Sequence, residues 1–353
     1  MPGPTAGVLL ALLIAAGCAE GPAPMPAAFP AQAPPIVAPE PPPVRAVTLD
    51  ARERPSDAAL DELAALGATH VAVIPFGWMA AMDAPAVELR TDPRWHVESD
   101  AGIRELARRL RARDIGLILK PQLWIRGGGW SAEVAFDTDE AWAAWEADYR
   151  ALALHYARLS AVVDAYVFVV GTELAAAMHA REAFWRGLIA EVRGVYGGRL
   201  TVAANWYGDA DTLPFWDALD LVGVQAYYPV SEAEEPTTAD LARGWDQIGG
   251  RLRALHEATG KQVLLTELGY RSIGHAAAEP WRWPVRGETD TPEPALQADL
   301  YRAALGALWT MPFVEGVVLW KAHADPDPER YRLDFTWQGK PAETVVADFF
   351  VTD

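Results

Sequence analysis

The chain has 353 residues, enough for one large α/β domain or two ordinary ones, and its 51% hydrophobic and 22% charged residues match a soluble globular protein with a sizeable core. A formal net charge of -18 argues against a nucleic-acid partner, which would need a basic stripe, and disfavours a strongly anionic substrate; a neutral one fits best. Simple solubilisation of an exported protein accounts for the charge equally well.

The first twenty residues, "MPGPTAGVLLALLIAAGCAE", have the pattern of an export signal. The apolar run from Ala6 to Ala16 is far shorter than the roughly 20 residues a membrane span needs. Cys18, the only cysteine, follows Ala15-Ala16-Gly17. That pattern resembles the bacterial lipobox, with Ala15 where leucine is preferred and no Lys or Arg ahead of the apolar run. The expected address is the cell envelope, with a lipid on Cys18 as the only membrane attachment; an ordinary signal with an incidental cysteine is the alternative. One cysteine excludes an intrachain disulfide and CxxC metal or redox chemistry. Residues 21–45 turn abruptly to Pro and Ala, as in "APEPPPV", a composition that favours extended polyproline II and forms a tether.

Residues 46–353 alternate β-like apolar runs with helical patterns. The runs are 46–51, 70–79, 115–125, 163–174, one starting at Leu200, one starting at Leu221, 262–270 and 314–324. Between them, Ser56 opens a helix carrying Leu60, Leu63 and Leu66, and Ile103, Leu106, Ala107 and Leu110 form a second apolar stripe. Longer helical stretches cover 139–160 and 294–310. Eight nearly continuous apolar strands, each followed by a helix, predict a parallel sheet buried on both faces and closed as a (β/α)8 TIM barrel. The competing doubly wound sheet usually has a glycine-rich first turn, and "DARERP" contains no glycine.

Chemistry in such a barrel sits at the C-terminal strand ends. Lys120, Gln122, Trp124, Asn205, Trp206, Gln225, Tyr227, Tyr228, Trp320, Lys321 and His323 fall there, together with two glutamates in matching contexts: Glu173 in "VVGTELAA" and Glu267 in "LLTELGY". Ends of the fourth and seventh strands face each other across an eight-stranded mouth. A single strand-end glutamate is commonly a surface ion-pair partner; two, each closing an apolar run, form the carboxyl pair that glycosidic bond cleavage requires. Cleavage needs one carboxyl to protonate the departing oxygen and another to attack the anomeric carbon or activate water. Whichever carboxylate acts as nucleophile needs a hydrogen-bond donor beside it, a part Tyr227 or Tyr228 can fill, and its charge would help the other carboxyl keep its proton.

The segments "LKPQLWIRGGGW", "GTEL" and "TELGY" resemble clan A retaining glycoside hydrolases, and within them glycoside hydrolase family 113. The resemblance spans Arg45 to about Phe350. It implies endo-β-1,4-mannanase activity, with Glu173 as acid/base and Glu267 as nucleophile. Thr172 stands where many clan members carry Asn. The resemblance also implies a sugar stacked on Trp320. Lys120, Trp124, Asn205, Trp206, Gln225, Tyr227 and Tyr228 complete the expected substrate-binding set, with Trp130 a further candidate subsite and Trp281 and Trp283 expected to wall the cleft. No metal or cofactor is called for, since HExxH, P-loop and dinucleotide fingerprints are absent. Three alternatives stay open: the same mechanism on glucan, xylan or a bacterial surface glycan; a glycan-binding barrel without turnover; and an imine-forming barrel using Lys120 or Lys321. Oligomeric state is not legible.

Overall fold

A computed structural model of the chain describes residues 42–91, 95–283 and 289–351. The expected export signal, Cys18 and nearly all of the expected tether lie outside the described residues. The first strand begins at Val44, two residues ahead of the expected domain start.

The first half of the fold runs β1 (Val44–Asp50), α1 (Asp57–Ala65), β2 (His70–Val73), β3 (Phe76–Met79), β4 (Glu88–Leu89), α2 (Asp100–Arg111), β5 (Gly116–Leu119), β6 (Gln122–Ile125), α3 (Asp139–Val163) and β7 (Val167–Thr172). The second half runs α4 (Ala175–Ala180), α5 (Glu182–Arg193), β8 (Arg199–Asn205), β9 (Val222–Gln225), α6 (Thr238–Thr259), β10 (Val263–Leu268), α7 (Pro294–Leu308), β11 (Val314–His323) and α8 (Pro341–Phe350). Strands β1, β2, β5, β7, β8, β9, β10 and β11 close into a parallel barrel, which excludes the open doubly wound sheet.

The strands' two-residue period divides the core. One set of side chains, including Ala46, Ala72, Ile118, Val169, Ala203, Leu264 and Val318, packs together as one cluster. The alternate set, including Val47, Val71, Leu119, Phe168, Val202, Leu265 and Leu319, packs with the helices. A third cluster of Ile74, Tyr227, Trp320 and Phe335 includes residues just past the strand ends. Helix starts follow local chemistry: Ser56 accepts from the Ala59 amide, Thr138 from Ala141, and Thr237 with Asp240 forms a reciprocal capping box. Each such cap is worth about 1 kcal/mol.

Three details depart from the sequence expectation. Runs 70–79 and 115–125 are each two strands, because Pro75 and Pro121 lack the amide a ladder needs. The outer halves β3 and β6 pair in parallel beyond the barrel, with Trp78 opposite Trp124, and β4 adds to β3 antiparallel. The crossover between β8 and β9 carries no α-helix, only a 3-10 turn at Trp216–Ala218. Its sequence holds Gly208 in the left-handed region and Pro214, and it is fastened instead by Trp216 donating to the Ala210 carbonyl and by Arg186 binding Pro214 and Asp217. Polar side chains also occupy the opposite, N-terminal ends of the barrel strands. Glu315 is buried there, bonded to Tyr166 and Arg199, and His70 lies against the Tyr166 ring.

Candidate active site

Both glutamates follow an irregularity in strand pairing. The register of β7 against β8 shifts between Val169 and Thr172, and that of β10 against β9 shifts between Leu265 and Glu267. Such bulges re-aim side chains at barrel rims. Glu173 itself has a left-handed backbone (φ 51°), uncommon for a residue with a Cβ and frequent at functional sites. Its amide donates to the Ala203 carbonyl at 3.0 Å while the chain turns into α4. After Glu267, Gly269 passes so close to β11 that a Cβ there would lie 2.5 Å from the Trp320 carbonyl oxygen. The glycine in "TELGY" is therefore a packing requirement beside the site.

Glu267 is 5% exposed and both its oxygens are engaged. Lys120, 1% exposed, donates to Oε1, and the Tyr227 hydroxyl donates to Oε2 at 2.7 Å. Burial and the carboxylate beside it raise the Tyr227 phenol well above its ordinary value, so it stays a donor. Glu173 is half-buried, and the Gln122 amide lies 3.4 Å from its Oε2. Burial, then the charge of Glu267, push the Glu173 carboxyl up to about 7, while the Lys120 charge works the other way. The Trp130 indole and the Gln225 amide also lie near enough to temper the rise, although the Gln225 nitrogen makes no hydrogen bond of ordinary geometry. Two acids are thus held in contrasting states: one free to carry a proton near neutrality, one clamped by two donors.

The expected substrate-binding residues divide by environment. Trp320 is 8% exposed and packs with Tyr227, Phe335 and Ile74 at the mouth; its peptide bond to Lys321 is cis. The Lys120 ammonium lies 5.7 Å from the Trp320 ring centre, but its bond to Glu267 makes it a partner of the carboxylate. Asn205 is buried with its side-chain nitrogen unpartnered, its backbone held by Asp209. The Gln225 oxygen accepts from Thr266 at 3.0 Å. Of the two tyrosines, Tyr227 is the donor; Tyr228 turns to the Trp206 ring and lies under the Arg251 guanidinium. Trp206 also meets Tyr207 and Trp281, at 5.6 and 5.5 Å. Trp124 is 52% exposed on β6, its ring against Phe76 and Trp78. Trp283 stands edge-on to Trp320 at 6.0 Å and to Phe335 at 5.6 Å.

Lys321 and His323 have other partners. Lys321 binds Asp50 at the end of β1. His323 is buried flat against Tyr331, at 3.9 Å, and burial and the Lys321 charge lower its ring to about 4. Sequence reasoning did not pick out Phe335, which reaches the mouth from an irregular segment after β11 and carries no periodic signal. A surface cavity of about 810 Å³ bordered by Glu146, Arg150, His179, Arg181, Glu182 and Arg186 includes neither Glu173 nor Glu267, and its arginines are paired with Glu146, Glu191 and Asp217.

The family model of Glycoside Hydrolase Family 113 matches residues 48–336, most of the chain. The chain belongs to glycoside hydrolase family 113. As a member it is a glycoside hydrolase on a (β/α)8 barrel. A family 113 β-mannanase from Alicyclobacillus acidocaldarius, solved in complex with ManMIm, is 28% identical, covering 87% of this chain and 96% of that one, with a TM-score of 0.76. A complex structure of a family 113 β-1,4-mannanase is 25% identical over 87% of this chain and 98% of that one, with a TM-score of 0.74. An endo-β-1,4-mannanase from Thermotoga petrophila, at 11% identity and a TM-score of 0.56, covering 86% of this chain and 75% of that one, shares the fold. A search of curated proteins finds no match to the chain.

Proposed function

We propose that this family 113 hydrolase cleaves β-1,4-linked mannan by double displacement, with Glu173 as acid/base and Glu267 as nucleophile. The observation that carries the reading is the contrast between the two acids. Glu267 is buried and held by Lys120 and Tyr227, while the Glu173 carboxyl is raised to about 7 under the charge of its partner. In the first step an oxygen of Glu267 bonds the anomeric carbon as the bond to the departing sugar breaks, and Glu173 gives its proton to the departing oxygen. In the second, Glu173 takes a proton from water as that water displaces Glu267, which regains its electron pair.

Trp320 forms the platform under the sugar at the cleavage point, and the unpartnered amides of Asn205 and Gln225 supply donors for its hydroxyls. Trp124, Trp130, Trp206, Trp281 and Trp283 are exposed or half-buried rings suited to stacking neighbouring sugars of a polymer. The substrate class follows the mannanases it resembles, and a neutral polymer suits the acidic surface. Export, with Cys18 lipidated, would place the barrel where such polymers are met.

Reducing-end release from β-1,4-mannan, glucomannan, cellulose-type glucan and xylan tests the substrate, with Glu267→Ala and Glu173→Ala beside the parent. The expected result is cleavage of mannan, loss of several orders of magnitude in both variants, and a product first released as the β-anomer. Cleavage of glucan or xylan alone would replace the substrate and keep the mechanism. Binding of a polymer with undiminished behaviour in Glu267→Ala would replace the mechanism with a non-catalytic role.

A further inference from the structure

Lys120 has no part in the two-step scheme, yet it is buried in the centre of the site with its ammonium on Oε1 of Glu267. Two residues on from Lys120, the Gln122 amide lies 3.4 Å from Oε2 of Glu173, so the same stretch of chain reaches both acids and the Lys120 charge opposes the rise at Glu173. Other charged groups around the mouth are committed elsewhere. Lys321 on β11 is bound to Asp50 on β1, His179 on α4 faces Asp209 beyond β8, and Arg251 on α6 is paired with Asp211. Tyr227 beyond β9 faces the site as a neutral phenol, and Tyr301 on α7, also neutral, donates to the Trp320 carbonyl. Resting on the assignment of Glu173 and Glu267 made above, we infer that Lys120 is a shared counter-ion which the two glutamates use in turn, a positioning residue for both half-reactions and not a ligand for the sugar.

The charge balance gives the reason. Before reaction Glu173 is a neutral acid, Glu267 a carboxylate and Lys120 an ammonium, so the three sum to zero. After the first step Glu267 is a neutral ester and Glu173, its proton gone with the departing sugar, is the carboxylate. Lys120 is unchanged and the sum is again zero. The second step returns the proton from water to Glu173 and the electron pair to Glu267. One negative charge moves from Glu267 to Glu173 and back while the positive charge stays on Lys120. Without the ammonium every state of the cycle would carry an uncompensated buried charge, which is costly. A donor of hydrogen bonds alone, such as Tyr227, cannot do this, because its role ends when Glu267 is esterified.

The test is the pH profile of kcat/KM on mannan oligosaccharides for the full chain and for Lys120→Met, Lys120→Gln and Lys120→Arg, with unfolding midpoints recorded for each. A shared counter-ion predicts that both charge-removing variants lose rate and that their whole bell moves up by about one to three pH units. Lys120→Arg keeps the bell in place at a lower rate. Should Lys120→Met not fold, Lys120→Gln, which retains a donor without the charge, carries the same comparison. A bell that stays put in Lys120→Gln, or a parent-like rate in Lys120→Met, overturns the inference and leaves Lys120 only an orienting role. Glu173→Ala and Glu267→Ala separate the two levels of failure. If they keep turnover, the carboxyl assignment fails and the counter-ion role falls with it; if they lose turnover and the bell is unmoved, only the counter-ion role falls.

Discussion

The Tyr227 hydroxyl lies 2.7 Å from Oε2 of Glu267, donated across neighbouring positions at the ends of β9 and β10. It engages the oxygen that Lys120 does not, so the carboxylate is fixed in one orientation before any sugar arrives. Replacing Tyr227 by Phe removes one hydrogen bond to a charged group without opening a cavity. A bond of that kind is worth about 1.5–3 kcal/mol, which corresponds to a fall in kcat of about 10–100-fold with KM nearly unchanged. Steady-state kinetics on a mannan oligosaccharide checks this; an unaltered kcat would remove Tyr227 from the machinery.

The Glu173 carboxyl, raised to about 7 by burial and by Glu267, sets a pH limit on activity. In the acid role proposed for it Glu173 must be protonated in the free enzyme, so kcat/KM is expected to fall as pH rises through about 7. A mannoside whose leaving group needs no proton should lose this limb in its first step. Persistence of the limb with such a substrate would point to another group.

The same shift makes a stability claim. The folded carboxyl holds its proton up to about 7, whereas the unfolded one releases it near its ordinary value of 4.5. Between those values the folded state binds more protons, so stability is fullest below 4.5 and declines as pH rises toward 7. Glu173→Gln, neutral throughout, removes that decline. Its thermal midpoint should exceed the parent's by about 2 °C or more at pH 8 and match it at pH 4. A parent-like midpoint at both pH values would mean that the cleft solvates the charge.

Trp283 is 58% exposed and touches Trp320 and Phe335 edge-on. Since such ring contacts are worth about 0.5–1.5 kcal/mol, Trp283→Ala should raise KM for long oligosaccharides about 3–10-fold. Turnover of a short activated mannoside should be little changed, because the carboxyls are untouched. Equal losses on long and short substrates would place Trp283 at the cleavage point.

Trp145 on α3 is fully buried, stacked on Tyr149 at 4.7 Å and packed against Trp185 and Phe184 of α5. Trp145→Ala should cost about 3–5 kcal/mol of stability by leaving a void between two outer helices. Denaturant unfolding measures the loss, and kcat below the unfolding transition should stay near the parent's. This separates tryptophans that hold the scaffold from those that face the cleft.

The barrel and the strand-end positions of both glutamates were legible because their signals are local. Apolar runs recur at strand length, Ser56 and Thr138 cap the helices they precede, and Glu173 and Glu267 each end a run. The breaks at Pro75 and Pro121 were also visible, but apolar periodicity continues through them, so two strands read as one. The missing helix after β8 was harder to see. "WYGDADTLPFWDALD" is long enough for a helix, and only its fastening to α5 through Arg186 and to itself through Trp216 shows what replaces it.

The sequence by itself determined the strand-helix alternation, the placing of the rim residues at strand ends and the family, since these depend on residues near one another in the chain. Only the tertiary structure decided partners. Tyr227 and not Tyr228 reaches Glu267, Lys120 pairs with a carboxylate 147 positions away, and Lys321 is taken by Asp50 from the other end of the chain. Closure of β1 onto β11 and the bulges in β7 and β10 set those pairings. A side chain's charge is written in the sequence, but the group that answers it is fixed by distances of a few ångströms that exist only once the barrel has closed.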